Sequence, residues 1–190
     1  MAQRAKFAVF LDRDGVLNEA ILREGKPYPP RNLSELVITR GARAALDGLR
    51  HEGFLLIVVT NQPDVARGKA NRADVDMINA RLADILPLDA IEVCEHDDAQ
   101  QCDCRKPKPG MILHAQKKFG VDLTGSFMVG DRWRDIEAGR RAGCRTVLIG
   151  EGYGETFPST PTMVAASLPA AASWIIQQSM RERGLHENSQ

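Results

Sequence analysis

Apolar runs of strand length alternate along this chain with apolar positions at helical spacing, and Gly, Pro or a polar cap marks each change. Residues 7–11 form a strand-like run that stops abruptly at Asp12. Ala42, Ala45, Leu46 and Leu49 recur at the spacing of one helix face, and Gly53 follows as a C-terminal stop. Residues 54–60 are almost continuously apolar, as a strand covered on both faces must be. Val75, Ile78, Leu82 and Ile85 predict a second helix, residues 90–94 a short third strand, and Met111, Ile112, Ala115 and Phe119 a third helix ending at Gly120. A fourth strand is predicted at 126–130, a fourth helix at 133–142, a fifth strand closing the series at 145–149, and a terminal helix at 168–180. Alternation of this kind with short connections predicts an α/β fold: a three-layer, doubly wound parallel sheet with right-handed crossovers. The Pro-containing stretch 18–40 is the long exception, and the tail after Arg181 is polar.

Composition narrows this picture. With 190 residues, 43% of them apolar, the chain suits one well-packed domain spanning 1–190, its core at about 6–178 and a polar tail at 181–190. Lys plus Arg equals Asp plus Glu at 25 each, so the chain carries no electrostatic footprint for nucleic acid or an anionic membrane. The expected partner is a small molecule, bound by a monomer. No secretory h-region opens the chain and no run approaches the ~18–20 apolar residues of a bilayer span, so the expected location is cytoplasmic. The four cysteines read as metal ligands plus one buried thiol, Cys144, since a disulfide framework belongs to small secreted chains.

Polar residues at several strand ends make sense only if they converge. Asp12 and Asp14 end the first strand, Thr60, Asn61 and Gln62 the second, and Asp131 the fourth, while Arg105 and Lys106 precede the third helix. The carboxyl ends of parallel strands share the rim where open α/β sheets bind ligands. Gathered there, Asp12, Asp14 and Asp131 suit a hard, oxygen-preferring dication such as Mg²⁺, which leans on substrate phosphate for remaining ligands. With that charge balanced, one carboxylate can approach a phosphoryl group as a nucleophile. Lys106 and the Thr60 hydroxyl would meet the equatorial phosphoryl oxygens, where charge accumulates. Taken singly, each of these residues is more often a turn, a cap or a solvated charge.

Asp12-Arg13-Asp14-Gly15-Val16, Thr60-Asn61, Lys106 and Gly130-Asp131-Arg132-Trp133-Arg134-Asp135 resemble, in order and placement, the four motifs of the haloacid dehalogenase superfamily of phosphatases. The resemblance implies that Asp12 is the nucleophile that becomes aspartyl-phosphate, and that Asp14 protonates the leaving oxygen and later activates water. It implies that Lys106 binds phosphate, that Asp131 binds Mg²⁺ with the Asp12 carboxylate and the Asp14 backbone carbonyl, and that Asp135 orients the site from behind. Asn61, Gln62, Arg105 and Arg132 join as candidate substrate or phosphate contacts. Val16 stands where many members carry Thr, and Pro63-Asp64 where Ser-Gly is usual.

A second constellation is separate from the first. Cys94-Glu95-His96 and Cys102-Asp103-Cys104, five residues apart, supply three thiolates and one imidazole, the count and chemistry of a closed structural Zn²⁺ site. Such a zinc-stabilised loop leads directly into Arg105 and Lys106. This arrangement resembles one subgroup, the heptose 1,7-bisphosphate phosphatases and the related histidinol-phosphate phosphatases. The resemblance implies an Mg²⁺-dependent hydrolase without a large cap domain, acting on a phosphorylated metabolite. A sugar bisphosphate of heptose metabolism, in lipopolysaccharide biosynthesis, is the leading expectation and histidinol phosphate the alternative. From other classes, a receiver-like phosphoacceptor and a non-catalytic zinc-stabilised binding module remain.

Overall fold

In a computed structural model, which describes residues 5–187 and side chains as far as 182, strand β1 (Ala8–Leu11) runs through the centre with all four residues buried. Its alternation sends Val9 and Leu11 into one core and Ala8 and Phe10 into another, so both faces of the sheet must be covered. After β1 comes a two-stranded antiparallel hairpin, β2 (Ile21–Arg23) and β3 (Lys26–Tyr28). Glu24 and Gly25 turn it with φ of 50° and 74°, the left-handed pair that matches the twist of a tight hairpin. A short 3₁₀ turn at Leu33–Glu35, capped by the Asn32 side chain, leads on to α1 (Ala42–His51).

The remaining elements are β4 (Leu55–Asn61), α2 (Arg72–Ile85), β5 (Ala90–Cys94), α3 (Gly110–Phe119), β6 (Phe127–Gly130), α4 (Trp133–Ala142), β7 (Arg145–Ile149), β8 (Met163–Ala165) and α5 (Leu168–Glu187). They alternate as far as β7, which β8 follows with no α-helix between them. Six strands form one parallel sheet in the order β5-β4-β1-β6-β7-β8. Helices α1, α2 and α5 bury Leu46, Leu49, Ile78, Leu82, Leu168 and Ile175 on one face. On the other, α3 and α4 bury Met111, Ile112, Ala115 and Ala138. The doubly wound, three-layer expectation therefore holds. No connection in the described residues carries an inserted cap domain.

One stretch left open gains structure, and two expectations need correcting. The stretch 18–40 contains a hairpin, which its three-residue strands and Glu-Gly turn, lacking the usual Asn-Gly or Asp-Gly, concealed. The strand at 145–149 does not close the series: β8 pairs alongside it, too short and with Val164 too exposed to register as an apolar run. The last helix continues past Met180 to Glu187, and of the tail expected at 181–190 residues 188–190 lie outside the described residues. No helix among the described residues is long and apolar enough to cross a membrane.

The strand order fixes the site. From β1 the chain winds outward to β4 and β5, then returns to lay β6, β7 and β8 on the other side. The carboxyl end of β1 is thus the point where winding reverses, and ligands of such sheets bind in the crevice that opens there.

Candidate active site

Asp12 occupies that crevice, its N–H still donating to the Val129 carbonyl (2.9 Å) and its Oδ1 accepting from the Arg13 N–H (2.7 Å). Lys106, from the far end of the cysteine loop, is fully buried, with Nζ 2.9 Å from Asp12 Oδ1 and 2.6 Å from Asp135 Oδ1. Burial alone would push the ammonium down, but Asp12 and Asp135 outweigh it and hold its pKa above the usual value. Asn61 fixes the backbone of this lysine: its Nδ2 donates to the Lys106 carbonyl and its Oδ1 accepts from the Lys106 N–H, each at 3.0 Å.

Asp131, just beyond β6, completes a group in which carboxylate oxygens of Asp12, Asp131 and Asp135 all lie within 4.8 Å of one another. Burial and then repulsion from Asp135 raise Asp12 from 3.8 to about 7, against the pull of Lys106. Asp131 rises to about 8, by burial first and then by Asp12 and Asp135. Its Oδ1 is buried without a hydrogen-bond partner. An all-oxygen donor set that is short of positive charge, with an orphaned carboxylate oxygen, fits a hard dication such as Mg²⁺. Gly15 makes the approach possible. At φ +87° it lies in the left-handed region, and a Cβ there would sit 1.8 Å from Asp131 Oδ2.

The Asp14 carboxylate stands apart from this trio. Arg13, with no exposed surface, grips it through Nε and Nη2 (3.0–3.2 Å) and is itself held by Asn79 of α2 (2.9 Å). Asn18 Nδ2 (3.0 Å) and Gln62 Nε2 (2.8 Å) also donate to Asp14. The same Gln62 amide donates to the Thr60 hydroxyl (2.9 Å), which is buried behind the cavity wall and does not line it.

The second cluster forms at the carboxyl end of β5. Cys94 Sγ lies 3.7 Å from both His96 Nδ1 and Cys102 Sγ, and Cys104 Sγ lies 3.2, 3.2 and 3.4 Å from His96 Nδ1, Cys94 Sγ and Cys102 Sγ. Ligands about 2.3 Å from a tetrahedral Zn²⁺ stand roughly 3.7 Å apart, so these edges outline a slightly contracted zinc cage. Burial pushes the Cys94 thiol up, a bias that a metal would reverse. Cys144, outside this cluster, is buried in the second core, where its thiol is pushed up to about 12.

Over the carboxylate cluster opens a cavity of about 490 Å³, with Asp12, Asp14, Lys106, Asp131 and Asp135 among its lining residues. Lys26 and Tyr28 of the hairpin line it, as do Arg67, Arg105, Arg132 and Arg134. Arg105 Nε donates to Asp98 (2.8 Å), and Arg132 Nε donates to Glu155 (3.0 Å). Tyr153 also lines the cavity and donates its hydroxyl to Asp131 Oδ2 (2.8 Å); burial and then Asp131 hold the phenol protonated beyond its usual range. The sequence reading singled out Asp12, Asp14, Asn61, Gln62, Arg105, Lys106, Asp131, Arg132 and Asp135, and all of these line this one cavity. It passed over Arg13, Arg134 and Tyr153. Tyr153 had a signal, since Gly152-Tyr153-Gly154 follows β7 on the same sheet rim.

The HAD-hydrolase-like family model matches residues 103–171. The D-glycero-beta-D-manno-heptose-1,7-bisphosphate 7-phosphatase of Pseudomonas aeruginosa is 35% identical over 178 residues, covering 89% of this chain and 97% of that one. The enzyme of the same name from Pasteurella multocida is 39% identical over 159 residues, covering 77% and 83%. Among solved structures, the D,D-heptose 1,7-bisphosphate phosphatase of B. bronchiseptica complexed with magnesium and phosphate has a TM-score of 0.77 at 31% identity, over 90% of this chain and 99% of that one.

Proposed function

This chain belongs to the haloacid dehalogenase superfamily, in the family of the D-glycero-beta-D-manno-heptose-1,7-bisphosphate 7-phosphatases, and from that premise we propose that it removes the 7-phosphate of a heptose 1,7-bisphosphate through Asp12. The observation that carries the chemistry is the buried Lys106 ammonium seated between Asp12 and Asp135 at the point of winding reversal. The sugar rests on similarity to the named relatives across nearly their full length. One domain, acting as a monomer, suffices for this reading, because this chain alone supplies every residue involved.

A carboxylate oxygen of Asp12 attacks phosphorus, and the bond from phosphorus to the sugar oxygen breaks. Asp14 delivers its proton to that oxygen, so the alcohol leaves neutral. Asp14, now ionised, takes a proton from water; the resulting hydroxide attacks phosphorus, the bond to Asp12 breaks and inorganic phosphate departs. Lys106 balances charge on the equatorial oxygens throughout. Asp12, Asp131 and the backbone carbonyl of Asp14 would hold Mg²⁺, which would supply the positive charge that neutralises the carboxylates and the phosphoryl group. The Asp14 side chain is left out of that ligand set because Arg13, Asn18 and Gln62 hold it. Asn61 sets the backbone of Lys106, and Arg105 and Arg132 face the substrate from the walls. Cys94, His96, Cys102 and Cys104 would hold Zn²⁺ and so staple the loop that delivers Arg105 and Lys106.

Phosphate release with Mg²⁺ from heptose 1,7-bisphosphate and from histidinol phosphate tests the reading. Turnover should favour the heptose and vanish in Asp12→Asn. A higher kcat/KM for histidinol phosphate would move the assignment to that substrate. A stable phosphoprotein without turnover would favour a receiver, and no phosphorylation at all a binding module.

A further inference from the structure

Building on the reading of Asp131 as an Mg²⁺ ligand, we infer that Tyr153 is a positioning residue that selects which oxygen of Asp131 meets the cation. Its hydroxyl donates to Asp131 Oδ2 at 2.8 Å, while Oδ1 is buried with no hydrogen-bond partner. A carboxylate with one oxygen engaged in this way presents the other at a fixed angle. Mg²⁺ demands near-ideal octahedral geometry, so the orientation of each ligand counts toward affinity. Hydrogen-bond partners standing behind metal ligands act in this way generally.

The backbone supports the assignment independently. Tyr153 has φ +54°, left-handed backbone that side-chain-bearing residues avoid, and it sits between Gly152 and Gly154 at φ 69° and 70°. Such strain persists only where the surroundings over-determine it, typically at functional sites. Two contacts do so here, the bond from Tyr153 to Asp131 and the ion pair of Glu155 with Arg132. The opposite wall is cut to fit. A Cβ on Gly15 would lie 1.8 Å from Asp131 Oδ2 and 3.1 Å from the Tyr153 hydroxyl, so the bare glycine leaves the space in which phenol and carboxylate meet.

Tyr153→Phe keeps the ring and removes only the hydroxyl. In calorimetric titrations of Mg²⁺ into the full-length, zinc-loaded chain, the variant should bind about 10-fold more weakly than the parent. Its kcat should be restored by saturating Mg²⁺. Equal Mg²⁺ affinity in parent and Tyr153→Phe overturns the inference while leaving the active-site reading intact, as does impairment confined to Tyr153→Ala, which would make the ring a cavity wall only. Failure of the parent to bind Mg²⁺ overturns the reading of Asp131, and the inference with it.

Discussion

Asn61 and the backbone of Lys106 close a two-way amide pair, each bond 3.0 Å long, that ties the carboxyl end of β4 to the start of the cavity's cationic floor. The strand-end asparagine is therefore a brace for the lysine more than a free ligand for substrate.

Asn61→Ala leaves a partly buried N–H and C=O without partners, a loss of about 1–3 kcal/mol in stability. The larger effect is expected in kcat, on the order of 100-fold, because an ammonium displaced by about 1 Å no longer meets the phosphoryl oxygens. Denaturant melts and steady-state assays on the same preparation separate the two.

In the metal-free fold Asp12 and Asp131 hold protons up to about 7 and about 8, against 3.8 in an unfolded carboxyl group. The folded state therefore binds more protons than the unfolded one between roughly pH 4 and 8, and stability falls as pH rises through that window. Metal-free melting temperatures should drop from about pH 5.5 to about pH 8.5, and Mg²⁺, which takes the place of the protons, should flatten the slope. A metal-free melting temperature that rises across this interval would contradict the buried trio.

Elemental analysis should find about one zinc per chain, retained through mild chelation that strips Mg²⁺. Forcing zinc out, or Cys104→Ser, should abolish turnover before it unfolds the sheet, because Cys104 directly precedes Arg105 and Lys106. Far-ultraviolet circular dichroism beside the activity assay reads this order.

Gly15→Ala meets two penalties at once: a left-handed φ of +87° and a methyl driven into the Asp131 carboxylate. The backbone share alone is at least about 1 kcal/mol. Turnover should be lost at any Mg²⁺ concentration, whereas Gly53→Ala, also at positive φ but with open space around it, should cost stability without touching catalysis.

The sheet was legible because its central strands are buried on both faces, so Val58 and Val59 both had to be apolar and the run at 54–60 stood out. The site was legible because carboxylates such as Asp12 and Asp131 follow such runs, where polarity has no role in folding. What stayed hidden depends on three-dimensional closure. Three-residue strands such as β2, β3 and β8 carry too few positions to show a period. Arg13 reads as a surface charge until Asn79, 66 residues away, is seen to take its guanidinium inside. Asp135 was expected to orient the site from behind, but its partner was hidden: only the fold brings it against a lysine from a different loop.

Translation delivers Asp12 well before Lys106 and Asp131, and the strand bearing it is flanked on its second side only when β6 emerges. The Ala8 N–H waits for the Ser126 hydroxyl, 118 residues later. A half-made chain therefore carries the reactive carboxylate without the lysine, the third aspartate or the crevice. On the proposed reading, fragments that end before β6 should release no phosphate.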